Sequence, residues 1–458
     1  MSQQENQTLA RGTLGVFESI IMGIAGTAPA FTVEVAAATI IATVGIFSPA
    51  SILYCGLIMF GITFAFINLN RMNSHAGASY AWVGQVFGGW WGFMAGWTLL
   101  VATCLFMVSG AIPVANAVLL LFAPDRINNV HLITTIAGII LTAVSFITLK
   151  GIKLSSYVQV TMTLIELVIL GIIGVASFMI FPHIAAHPFS WSWFSLSGFT
   201  PKSFADGALI GMFFYWGWDV VMNLSEETKD PGKTAGRGAF FAMSYLLLFF
   251  LAFIVIVLLG LPDADIQHYN TNVIYAVGEK LYGNTFGLAA IVAVLLSTIG
   301  TLETSILQFT RTLFANGRDG VLHPRFARLH DKWKTPYMAV FFIWGFGMIL
   351  LVLSSYIPTI NDILEIFISA IGFQISFYLG LAGLACTWHY RAKLKEGIWH
   401  AITHVVWPGL SALFLFFIAL YSIPSFDTMT DIAGIGGIAI GVVPYVLNRR
   451  RVARAKAV

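Results

Sequence analysis

Charge is the scarcest property of this 458-residue chain: Asp, Glu, Lys and Arg together make up 10% of it, against 58% hydrophobic residues. A soluble globular protein carries about 25% charged residues, so an aqueous fold is excluded and a membrane-embedded one is indicated. Cysteine is nearly absent. Cys55, Cys104 and Cys386 form an odd set inside apolar stretches, which argues against a disulfide framework and for packed small side chains. HExxH, GxSxG and GxxxxGK[ST] are all missing, so metalloprotease, serine-hydrolase and nucleotide-driven chemistry have no residues to rest on. The ten histidines form no cluster with carboxylates in an apolar stretch. The reading is therefore a protein that is not an enzyme, with no catalytic residue, metal site or cofactor.

What is present is apolar length. About twelve stretches approach the roughly 20 helical residues that cross a bilayer, centred near Ala30, Met59, Ala102, Ile140, Ile169, Phe213, Phe249, Val294, Gly345, Gly372, Phe414 and Ile438. The polar leader MSQQENQTLARG precedes the first stretch and no small-residue cleavage site follows it, so no removable signal peptide is expected. With the N-terminus inside, all of the 24 Lys and Arg except Arg126, Lys202 and Lys280 fall in inner segments. That bias predicts a multi-pass protein of the cell (plasma) membrane with both termini cytoplasmic. The net charge of +3 reflects this topology and gives no sign of nucleic-acid binding, and the tail NRRRVARAK is suited to anionic lipid.

The first apolar stretch carries GIAGTAPA, residues 23–30, at its centre. In lipid an interrupted helix survives only where its freed backbone groups are buried in protein or line a watery cavity. Gly23 and Gly26 permit non-helical backbone and Pro29 can restart a helix. The amides of Ala25, Gly26 and Thr27 are then expected to point into the membrane and attract an anion such as a carboxylate. A second interruption, FFYWGWDVV at residues 213–221, opens the second half. Paired interruptions at corresponding points of two halves point to a transporter site at an inverted-repeat interface.

GIAGTAP, HAGASYAWVGQVFG (75–88), GIKLSSYVQ (151–159), FFYWGWDVVMNLSEETKDP (213–231) and FTRTLFANGRDGVLHPRFARLH (309–330) occur here in one order and spacing. In these motifs the chain resembles the amino acid, polyamine and organocation (APC) superfamily of permeases along most of its length. The resemblance implies an all-α membrane protein with a LeuT-like five-plus-five inverted repeat and two further C-terminal helices. The corresponding segments are a cytoplasmic leader, 1–12, a first repeat, 13–181, a second repeat, 182–390, two last helices, 391–448, and a basic tail, 449–458. It also implies alternating-access transport of amino acids or organic amines.

Carboxylates at spanning depth cost about 2.5–3.5 kcal/mol each on insertion scales and are functional hypotheses by default. Glu34 is a candidate for the outer vestibule, or for a hydrated interface. Asp219 follows the second break, in an ion-coupling role or satisfying freed amides of its own helix. Glu166 occupies, by resemblance, a place where several sodium-independent relatives carry a lysine between helices 1, 5 and 8. It is a candidate proton carrier, or a cation ligand together with the Thr298 and Thr301 hydroxyls. Glu303 is a candidate anchor for a cationic substrate, or a scaffold pair. Tyr215, Trp216 and Trp218 flank the second break, and an aromatic face attracts a desolvated ammonium by about 2 kcal/mol. Glu226 and Glu227 are candidates for pairing with inner-loop cations, and Arg318 with Asp319 for a loop lock.

These residues predict a secondary transporter driven by a proton gradient, with sodium as the alternative, that prefers cationic amino acids or di- and polyamines. The alternative is a neutral or broad-specificity amino acid permease or exchanger. An ion channel is disfavoured because no repeated filter or ordered ring of charge is present. The partners expected are the small-molecule substrate and membrane lipid, the assembly a monomer or weak dimer.

Overall fold

The computed structural model describes residues 8–456 apart from 128, 270, 271 and 358. Residues 1–7 of the leader, residues 457–458 and the tail side chains beyond Arg449 lie outside the described residues. Apart from one isolated bridge between Leu14 and Thr228, the described elements are helices. In chain order they are α1 (Val16–Thr27), α2 (Pro29–Val44), α3 (Ser48–Met72), α4 (Ser79–Phe87), α5 (Gly89–Phe122), α6 (Val130–Leu149) and α7 (Ile152–Ile180). The second half continues with α8 (Pro201–Phe214), α9 (Val220–Asn223), α10 (Thr234–Gly260), α11 (Asp263–Tyr269), α12 (Val273–Tyr282), α13 (Asn284–Arg318), α14 (Tyr337–Ser354) and α15 (Ile360–His389). Last come α16 (Ile398–Ala401), α17 (Trp407–Ser422), α18 (Thr428–Asp431), α19 (Gly437–Ala439) and α20 (Val442–Lys456).

Ten stretches of the described chain are long and apolar enough to cross a membrane. The first of them, Val16–Met72, is 57 residues long, which at about 1.5 Å per residue is more than twice a bilayer core. It holds two passes, α1 with α2 and then α3. The α8–α9 pair is too interrupted to count among the ten, and including it restores the twelve passes expected from the sequence.

α7 shows how the bundle is sorted. Ser155, Gln159, Thr163, Glu166, Leu170, Ile173 and Ser177 are buried, while Leu164, Ile165, Val168, Ile172, Val175 and Met179 are exposed. Steps of three and four residues put the polar stripe on one face. The polar face turns inward because lipid offers no hydrogen bonds, and the apolar face is left to the acyl chains. The three cysteines are free and buried.

One end of the bundle gathers the basic segments. Leu14 bridges to Thr228, Asn70 Nδ2 donates to the Pro231 carbonyl at 2.7 Å, and Tyr390 Oη donates to the Asn68 carbonyl at 3.0 Å. Asn448 Nδ2 donates to the Gly320 and Val321 carbonyls at 2.8 and 2.7 Å, which brings the C-terminal helix to the same end as the N-terminal segment.

Candidate functional site

The two interruptions meet back to back. α1 runs through Gly23 and Gly26 without a break and ends at Thr27. Ala28 takes φ +52°, its amide closing α1 on the Ile24 carbonyl, and Pro29 opens α2 as its first residue. The left-handed conformation costs a non-glycine residue about 1–2 kcal/mol, and Pro29 brings no amide that needs a partner there. α8 ends at Phe214, and Gly217, at φ +110°, turns the chain before α9. A Cβ on Gly26 would lie 2.3 Å from the Gly217 carbonyl oxygen, and one on Gly217 would lie 2.1 Å from that of Gly26. The breaks therefore touch backbone to backbone, and side chains are excluded between them.

This geometry corrects the expectation for Ala25, Gly26 and Thr27. They form the last turn of α1, so they present the carbonyl edge of a helix C-terminus, which carries partial negative charge and suits an ammonium. The free amides belong to α2. The Ala30 amide donates to Glu166 Oε1 at 3.2 Å and the Phe31 amide to Ser297 Oγ at 3.3 Å. Glu166, from α7, thus lies between the first broken helix and α13. Thr301 Oγ1 donates to the Gly26 carbonyl at 2.7 Å, whereas Thr298 Oγ1 donates to Val294 within its own helix. Ser297 takes the place that Thr298 was expected to fill.

At the second break Asp219 is braced on both sides. Its Oδ2 accepts from Gln308 Nε2 at 2.9 Å and from Tyr378 Oη at 2.8 Å, and Tyr378 in turn accepts from Trp216 Nε1 at 2.9 Å. Gln308 also reaches Asn223 Oδ1 at 3.3 Å. Trp216 stands edge-on to Phe106 at 5.3 Å, and Phe106 edge-on to Phe31 at 5.9 Å, so three aromatic rings border the breaks. Tyr215 and Trp218 turn away from them. Tyr215 Oη donates to the Ile52 carbonyl at 2.9 Å, and Trp218 packs against Phe66 of α3 at 5.4 Å. Both brace the scaffold and do not border the candidate site.

Glu34 and Glu303 are also placed differently from expectation. Glu34 is buried and accepts from the Ile274 amide, capping the first turn of α12, and it also lines a small cavity with Pro113, Asn116, Asn272 and Leu364. Glu303 faces Ser155 and Gln159 of α7, away from the aromatic rings. Ser297, Gln308, Phe106 and Tyr378 escaped the sequence reading. The signal for the first two was there: Ser297, Thr301, Thr304 and Gln308 repeat at steps of four, three and four, one polar face of α13.

The basic end is tied shut by two ion pairs. Arg311 grips Glu227 through Nε at 2.9 Å and Nη2 at 3.0 Å, with both side chains fully buried. The Glu227 carbonyl accepts the Thr13 and Leu14 amides, which fastens the N-terminal segment across the bundle. Arg318 grips both oxygens of Glu226 at 2.8 and 2.9 Å, and the Ala76 amide donates to the same carboxylate. Burial works against ionisation of Glu226, but the Arg318 bonds outweigh it and hold its carboxyl below the ordinary value. A depressed carboxyl contributes stability above its unfolded value, about 4.3, and loses it as pH falls through the lower folded value. Glu226→Gln is therefore expected to lower the melting temperature at neutral pH, with the difference from wild type shrinking toward pH 3. Thermal scans across that range measure it.

The chain belongs to the amino acid permease family, whose model matches residues 14–443. It is 26% identical over 361 residues to the branched-chain amino acid permease BcaP of Bacillus subtilis, covering 78% of this chain and 72% of that one. Over 318 residues it is 26% identical to the serine/threonine exchanger SteT of the same organism, covering 66% and 67% of the two chains. Over 296 residues it is 26% identical to the human large neutral amino acids transporter small subunit 2, covering 62% of this chain and 54% of that one. The family places it among multi-pass membrane transporters of amino acids.

Proposed function

We propose that the protein is a proton-coupled permease for neutral amino acids, working by alternating access around the two touching breaks. The observation that carries the neutral preference is the direction of the buried acids. Glu303 faces α7 and Glu34 caps α12, so of the buried acids only Asp219 lies beside the rings of Phe31, Phe106 and Trp216, and its Oδ2 is engaged by Gln308 and Tyr378 while its Oδ1 has no hydrogen-bond partner among the described residues. The cationic and polyamine preference loses its anchors, and the names of the relatives, for branched-chain, large neutral and serine/threonine substrates, favour the same alternative.

In this reading the ammonium of the substrate meets the carbonyl edge at the end of α1 and its carboxylate turns toward the N-terminus of α2. Its side chain rests on the aromatic rings. Residues 13–181 and 182–390 are the two inverted repeats, each broken in its first helix, and residues 391–448 complete the fold. The basic end faces the cytoplasm of the cell, the orientation favoured by its Lys and Arg. The protein acts as a monomer or weak dimer.

Glu166 is the proposed coupling group because it joins the α2 N-terminus to α7 and α13 in one contact. Sodium is the weaker alternative, since of Thr298 and Thr301 only Thr301 reaches the first broken helix. Proteoliposome uptake of leucine, serine, arginine and putrescine under an imposed pH gradient tests both parts. Leucine or serine should accumulate when the outside is acidic, and Glu166→Gln should abolish that accumulation. Accumulation that follows a sodium gradient alone, or of putrescine alone, would overturn the reading.

A further inference from the structure

The seam between α7 and α13 holds a second buried acid for which the substrate site has no use. The two helices run in opposite directions, and they exchange polar contacts in three steps from the breaks toward the basic end. Nearest the breaks, Glu166 bonds the Ala30 amide and the Ser297 hydroxyl. The middle step is Gln159 crossing to Gly300, where a Cβ would sit 2.4 Å from the Gln159 amide, so the glycine is what admits that side chain. Furthest in, Glu303 Oε2 accepts from the Gln159 amide at 3.2 Å. Ser155, Gln159, Thr163, Glu166 and Glu303 are each at most 2% exposed, and neither Glu303 Oε1 nor Ser155 Oγ has a hydrogen-bond partner among the described residues.

The Gln159 amide spans the seam between Glu303 and Thr163. With its nitrogen toward Glu303 Oε2 and the Gly300 carbonyl, both at 3.2 Å, its oxygen accepts from Thr163 Oγ1 at 3.1 Å. That setting fits a carboxylate. Thr163 lies on the same face of α7 one turn from Glu166. At the basic end, near the start of α7, a cleft of about 350 Å³ is lined by Gly12, Thr13, Phe17, Glu18, Lys153 and Ser156. The other groups facing the pair are the Ser297 hydroxyl and, near Glu166, the Tyr245 hydroxyl of α10. No Lys, Arg or His forms an ion pair with either acid among the described residues.

We propose that Glu303 is a second proton-binding site, set between Glu166 and the cleft at the basic end, and that Gln159 and Thr163 link its protonation to that of Glu166. The proposal rests on the proton-coupled reading given above. A hydronium proton from water at the basic end is bound by a Glu303 oxygen, leaving water behind, and release to that end is the reverse.

Full-length protein in proteoliposomes tests this with three variants, Glu303→Gln, Glu166→Gln and Gln159→Leu, the last keeping both acids and guarding against a fold defect in the first. Leucine counterflow at equal pH on the two sides reads the substrate cycle, and pH-gradient-driven net uptake reads coupling. Glu303→Gln is expected to keep counterflow within about twofold and to lose about tenfold or more of gradient-driven uptake, with Gln159→Leu losing a smaller part. If Glu303→Gln and Gln159→Leu keep wild-type gradient-driven uptake while Glu166→Gln abolishes it, the second site is refuted and the coupling role of Glu166 stands. If counterflow falls in parallel with net uptake in both variants, the seam is structural and the proposal is refuted. If the wild-type protein shows no pH-gradient-driven uptake, the coupling reading falls first and takes the second site with it.

Discussion

Replacing Gly217 by alanine, the addition of one methyl group, is expected to reduce transport by at least about twentyfold. Two costs fall on the same atom. The φ of +110° at Gly217 is a conformation that costs a residue with a side chain about 1–3 kcal/mol. The added Cβ would also lie 2.1 Å from the Gly26 carbonyl oxygen, and overpacking of this kind adds about 1–3 kcal/mol. At about 1.4 kcal/mol per factor of ten, the packed arrangement of the two breaks becomes a minor state. Because the proposed alternating-access cycle is built around the two touching breaks, the loss should fall on flux. Counterflow of a neutral amino acid, with folding checked by thermal stability, is the measurement. Wild-type flux in Gly217→Ala would mean that the backbone contact between the breaks has no part in transport.

The second large effect belongs to the buried pair at the basic end. Arg311→Ala and Glu227→Ala are each expected to destabilise the fold by about 3–5 kcal/mol, because each leaves an uncompensated charge where no water reaches. Arg311→Met combined with Glu227→Leu should recover most of that loss, since it removes both charges and refills the space. Detergent-solubilised thermal unfolding of the three variants measures this directly. Single variants that lose no more than the roughly 1 kcal/mol typical of an exposed pair would mean that the site is wetter than its burial indicates. The same comparison separates two roles of Glu227, whose carbonyl holds Thr13 and Leu14. The double variant keeps that backbone contact, so a stable double variant with altered transport would assign the charge pair to gating.

The twelve passes, the basic end and the existence of both breaks were legible in the sequence, because apolar length, Lys and Arg placement and a proline in an apolar run act locally. The position of the first break was only half legible. Pro29 marks it, but Gly23 and Gly26, which the sequence suggests as the flexible points, are helical residues that allow close packing. A Cβ on Gly23 would meet Ala242 Cβ at 2.8 Å, and one on Gly26 the Gly217 carbonyl. A glycine chosen for its small size and one chosen for its φ look alike in a sequence. The break falls at Ala28, a residue with no turn preference of its own, because the proline and the packing on both sides decide it.

The acids illustrate a second limit. Insertion cost identified Glu34, Glu166, Asp219 and Glu303 as residues that must be satisfied inside the protein, and each is buried. Their partners come from distant segments: Ile274 for Glu34, Ala30 and Ser297 for Glu166, Tyr378 and Gln308 for Asp219, and Gln159 for Glu303. Helical period fixes the face of a side chain but not which helix covers that face. That is why the acid content suggested a cationic substrate, while the directions of those acids point to a neutral one.

The central claim, a site for a zwitterion with an uncharged side chain, is tested most directly by calorimetric titration of the purified protein with leucine, isoamylamine, isocaproate, arginine and cadaverine. The account predicts that leucine binds at least about tenfold more tightly than every other compound, since isoamylamine lacks the carboxylate, isocaproate lacks the ammonium, and the last two bring a further cation although the acid at the breaks, Asp219, is already engaged by Gln308 and Tyr378. Tighter binding of arginine or cadaverine than of leucine would contradict it.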